Sequence, residues 1–92
     1  MPPFTVTFYK DNGKLTRIIT IGTDRFTEQF DPGGWYGYFG RPFQKITESE
    51  AIALALSILQ KRDPNYKNTG RARLELYKFD LLHFPHQLQL VV

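Results

Sequence analysis

The chain has no cysteine. That removes disulfides, thiolate nucleophiles and cysteine-based zinc sites from consideration. Its only serines are Ser49 and Ser57, and both fall where the chain reads as a helix, so no Ser/His/Asp arrangement is suggested. No apolar run exceeds Ala51 to Leu56, far too short to cross a bilayer. The start, MPPFTVTFYK, lacks the basic patch and apolar run of a secretory signal. Gly33, Gly34, Gly37 and Gly40 do not have dinucleotide-fingerprint spacing, and no helix opens directly after them. These absences lead us to expect a cytoplasmic chain with no cofactor, no membrane partner and no catalytic set.

Charged residues are present at an ordinary 23%, but the excess of one sign is small. The net charge is +3, and all of the excess lies in residues 61–92, which hold six basic side chains against three acidic ones. Such a balance biases a protein toward acidic partners but is within what solubility requires. Histidine is limited to His83 and His86. Their spacing across Phe84-Pro85 invites a metal reading. We set it aside because structural zinc takes four protein ligands and Asp80 is the only carboxylate close in sequence.

Aromatic residues, by contrast, are plentiful at 15%. Their area helps a small core, and 92 residues can support only one, so a single domain over 1–92 is expected. Phe4 to Lys10 alternates apolar and polar as a half-buried strand does. Asn12-Gly13 follows, the preferred pair for a two-residue turn with positive φ at both positions. Leu15 to Ile21 returns as a second strand, with Asp11 opposite Lys14, Phe8 opposite Arg17 and Phe4 opposite Ile21. Phe4, Val6, Phe8, Ile19 and Ile21 then form the core face. Gly22 to Gly34 reads as an irregular connection ending in the turn Asp31-Pro32-Gly33-Gly34, and Trp35 to Phe39 as a glycine-weakened third strand.

Thr47 and Glu50 form a capping box at the start of a helix that is apolar through Leu59 and stops at Asp63-Pro64. Arg71 to Phe79 alternates and reads as a strand, as does Gln87 to Val92. The fold expected is α+β: a mostly antiparallel sheet of four to five strands with one helix on one face, in the order β-β-(β)-α-β-β.

Function rests on FDPGGWYGYFGRPFQK, residues 30–45, where glycines and prolines space six aromatic rings. Trp, Tyr and Arg are the usual interface anchors. The first reading is therefore a non-enzymatic protein-interaction module, a small adaptor or inhibitor, that uses Trp35, Tyr36, Tyr38, Phe39, Arg41 and Lys45. The alternative is a single-stranded nucleic-acid binder. It interleaves those rings and Phe43 with Arg41 and Lys45, expects Arg71, Arg73, Tyr77 and Lys78 on an open sheet face beside them, and counts Tyr9 and Arg17 as additions. A C-terminal strand ending at Val92 would also present an edge for homo-oligomer formation.

Overall fold

The computed structural model describes residues 3–80 and residue 83. Five strands come first: β1 (Phe4–Asp11), β2 (Lys14–Ile21), β3 (Asp24–Asp31), β4 (Gly34–Gly37) and β5 (Lys45–Ile46). Two helices follow, α1 (Glu48–Arg62) and α2 (Thr69–Leu76). The strands form one antiparallel sheet in the order β4-β3-β2-β1-β5. The α+β class and the antiparallel sheet are as the sequence suggested, with a second helix and a different element order.

The hairpin register is the expected one, with Phe8 opposite Arg17 and Asp11 opposite Lys14. Asn12 and Gly13 take φ of 50° and 77°, which Asn and Gly tolerate better than other residues. Residues 24–31 differ from expectation: they are a full strand, not an irregular connection. Gly22 takes φ of 58° at the first position of a two-residue turn, a place that favours glycine. Phe26, Glu28 and Phe30 then fall on one face, and Arg25, Thr27 and Gln29 on the other.

The segment Arg71–Phe79 is also corrected. Most of it belongs to α2, whose N-cap Asn68 accepts a hydrogen bond from the Arg71 amide. Alternation would put Ala72, Leu74 and Leu76 on one side. The helix instead buries Ala72 and Leu76, four residues apart, and turns Leu74 outward. The expected strand at Gln87–Val92, with its edge and His86, lies outside the described residues.

The Thr47–Glu50 capping box forms in both directions. Ala51 and Ala55 of α1 are fully buried, and their small size lets the helix sit close to the sheet. With Phe8, Leu15, Phe30, Ile46 and Leu76 they make the core. No helix among the described residues is long and apolar enough to cross a membrane.

Candidate contact surface and a buried charge cluster

β4 and β5 are the two edges of the sheet, so residues 38–44 must travel from one edge to the other. They cross the face that lies away from the helices. Gly40, Arg41 and Pro42 line a cavity there with Ile18, Arg25 and Thr27, all of which point opposite to Phe8, Arg17 and Glu28. Both ends of the loop are tied. The Tyr38 amide donates to the Thr27 carbonyl at 2.9 Å, and the Lys10 amide to the Gln44 carbonyl at 2.9 Å. The Tyr38 hydroxyl also donates to the carboxylate of buried Asp11. That bond, with burial a smaller contribution, raises the Tyr38 phenol above its ordinary pKa. Beneath the crossing, Thr16 and Ile18 are buried on a face that would otherwise be open.

The six aromatics of the glycine-spaced segment divide as follows. Phe30 is core. Trp35 packs on Phe30 at 5.0 Å, and its Nε1–H donates to the Glu75 carbonyl at 2.8 Å. It is held by the fold on the helix side and is not a free anchor. Tyr38 is the half-buried tether just described. Tyr36 is 54% exposed, Phe43 80% exposed and Phe39 fully exposed. These three rings, with exposed Arg41 and Lys45, are the part of the expected site that stands out from its own fold.

Around them basic groups outnumber acidic ones. Lys14, Arg25, Arg41 and Lys45 belong to this face or its loop, and none makes an ion pair among the described residues. Lys14 lies 5.9 Å from the Tyr38 ring centre. The acids of the same face are engaged: Asp11 by Tyr38, and Asp31 by the Gly33 amide at 2.7 Å. Arg71 and Arg73 are elsewhere, on α2 at the opposite side of the sheet, where Arg73 pairs with Glu48 at 3.1 Å. The single track of rings and cations running from Trp35 to Arg73 does not form.

Arg17 is likewise not on the open face. It is buried against the helices, with Nε donating to Glu28 Oε1 at 2.9 Å. Its two terminal nitrogens donate to the carbonyls of Leu76 and Lys78, each at 2.6 Å. The guanidinium thus caps the C-terminal end of α2, where orphan carbonyls and the helix dipole favour a cation. Trp35 covers it, with the guanidinium carbon 4.0 Å from the ring centre. Burial lowers the Arg17 pKa against the opposing pull of Glu28. Arginine starts so high that it stays charged.

Glu28 also faces His83, whose Nε2 lies 3.6 Å from its Oε2. His83 is fully buried, its ring edge-on to Phe26 at 4.6 Å. Sequence alone could not pair these residues, because Glu28 comes from β3 across 55 positions of chain. A charged residue at a core-facing strand position was the available signal. Once residues 24–31 are read as a strand, Glu28 falls between Phe26 and Phe30.

No family model, curated protein or solved structure matches the chain. The functional reading therefore rests on the geometry above.

Proposed function

We propose that the protein is a non-enzymatic protein-interaction module whose contact surface is the crossing loop and the ring beside it: Tyr36, Phe39, Arg41, Phe43 and Lys45. The observation that carries this reading is the placement of Phe39 and Phe43. Two large apolar rings project from a loop tied at both ends, and neither contributes to the monomer's core. A loop tied at both ends loses less backbone entropy on docking, and aromatic anchors set in partner pockets dominate interface energies. The surrounding unpaired cations favour a partner with an acidic rim. With no cysteine in the chain, the cytoplasm is the compartment we assign.

A second reading, binding of single-stranded nucleic acid, draws on one specific observation: Lys14, Arg25, Arg41 and Lys45 share a face with exposed rings and, among the described residues, outnumber its acids, Asp11 and Asp31. It lacks the support of Arg71 and Arg73, which lie behind the sheet.

Capture from nuclease-treated extract on immobilised protein, wild type beside Phe39→Ser/Phe43→Ser, tests the first reading. A protein retained by the wild type and lost from the variant at unchanged melting temperature is the expected result. Equal retention by both ends the proposal. Quenching of fluorescence by a mixed oligonucleotide, falling steeply with salt, moves the assignment to nucleic acid.

A further inference from the structure

β3 turns Arg25 and Thr27 to the face away from the helices, and β2 turns Ile18, the direct partner of Thr27, the same way. The crossing loop lays Gly40, Arg41 and Pro42 beside them, and together they enclose a cavity of about 390 Å³. Two guanidinium groups, one from the sheet and one from the loop, thus line one concavity. Neither makes an ion pair or a hydrogen bond among the described residues. No acid lines the cavity. Asp24 and Glu28, the acids nearest to Arg25 along β3, fall on the helix side by alternation. Asp11 and Asp31 share the loop's face, but Asp11 is buried and bonded to the Tyr38 hydroxyl, and Asp31 holds the Gly33 amide. The loop's path is specified too. A Cβ at Gly40 would fall within the Tyr38 ring, which its bond to Asp11 keeps in place. Arg41 therefore follows a backbone that the Tyr38 tether fixes.

Two forked cations around an acid-free cavity are complementary to one oxyanion. The apolar lining selects among oxyanions. Ile18 is almost fully buried, and Pro42 adds a second apolar surface. The methylenes of a glutamate side chain pack on such a lining while the carboxylate meets the guanidinium groups. A phosphate brings no apolar stem. The small net charge of +3 also suits one carboxylate better than a polyanion. We propose that this cavity receives a glutamate side chain of the protein partner, held by Arg25 and Arg41 with the Thr27 hydroxyl as a further donor. On the interaction-module reading, on which this rests, the docking segment carries that acid between apolar neighbours that meet Phe39 and Phe43. Arg25 then joins the contact surface, although it comes from the sheet and not from residues 30–45.

The test uses the full nitrogen-15-labelled chain at low salt and neutral pH. The probe is a blocked Ser-Leu-Glu-Leu-Ser peptide, added to millimolar concentration, with its glutamine counterpart as control. The guanidinium Nε–H signals of Arg25 and Arg41 shift together and saturate, while those of Arg62 and Arg73 stay in place. The glutamine peptide binds at least ~10-fold more weakly. Arg25→Gln and Arg41→Gln each weaken binding to a similar degree at unchanged melting temperature. Arg25→Lys keeps the charge without the fork and recovers only part of it. Equal affinity for the two peptides, or arginine signals that do not move, overturns the glutamate site. So does a thymidine hexanucleotide that displaces the peptide at lower concentration, which assigns the cavity to phosphate. Capture from extract separates this site from the surface around it. A partner lost with Phe39→Ser/Phe43→Ser but kept in full by Arg25→Gln/Arg41→Gln overturns the glutamate cavity and leaves the interaction surface standing.

Discussion

The two faces of the sheet invert the usual placement of side chains. The helix side, which should be purely apolar, encloses Arg17, Glu28 and His83. The far side, which could be left polar and open, is crossed by a loop that holds two phenylalanines out in solvent. On the helix side the buried guanidinium is answered from within the chain: Arg17 has a carboxylate, two carbonyls and an indole around it. On the loop side the oddities have no internal answer. A buried charge with a full set of partners points to architecture, and an exposed ring without one points outward.

The sharpest way to break this contrast is to remove one member of the buried set. Arg17→Met leaves the Glu28 carboxylate buried beside a thioether and uncaps α2. Loss of one partner from a buried pair costs about 3–5 kcal/mol, so the melting temperature of a chain this size should fall by roughly 15 °C or more. Arg17→Met with Glu28→Leu removes both charges and should recover a large part of that loss. If the single variant melts like the wild type, the helix side is not held as described.

Close packing on the same side comes next. Ala55 is fully buried where α1 meets the sheet. Ala55→Leu must push the helix away, at a cost of ~1–3 kcal/mol in chemical denaturation. Thr47→Ala removes the hydroxyl that accepts from the Glu50 amide and should cost ~1 kcal/mol.

How much of this was legible beforehand varies with the physics involved. The first hairpin was readable to the residue, because Asn12-Gly13 fixes the turn and the turn fixes the register. The capping box was readable because its two bonds are local. Residues 24–31 were missed although Gly22-Thr23 is a sound two-residue turn. Glu28 broke the apolar alternation, and only its partner on the neighbouring strand explains why a charge belongs there. α2 was misread because Ala72 and Leu76 fit both periods, and a helix so short is decided by its cap and by docking of Leu76. In the candidate site, Phe39 and Arg41 could be named from composition. The removal of Trp35 to the helix side could not, since it depends on a hydrogen bond to Glu75 forty residues later.

Alkaline titration gives a subtler probe. Tyr77 on the helix side is pushed up to about 12, first by desolvation and then by its hydroxyl bond to Glu48. A raised phenol pKa means the fold prefers the protonated form. The stabilisation is complete below the unfolded value near ~10 and is lost as pH climbs from there toward 12. Tyrosinate absorbance should show a late component that Tyr77→Phe reduces and that keeps the share of Tyr38, whose phenol is also raised. A titration complete near the ordinary value would contradict the Tyr77–Glu48 contact.

The smallest expected effect is the most telling for the comparison. Phe39→Ala and Phe43→Ala remove rings that touch little of their own fold, so each should change stability by no more than ~0.5 kcal/mol. Tyr38→Phe, one residue from Phe39, keeps its ring but loses the bond to Asp11, leaving a buried carboxylate short of a partner, and should destabilise measurably. Denaturation curves for the three variants therefore read the loop directly. Neutral phenylalanines beside a sensitive Tyr38 mean that the chain tethers this loop for contacts it does not itself make. Phenylalanine variants that unfold as readily as a core truncation would mean that the rings pack inward in solution, and the two faces would then no longer differ.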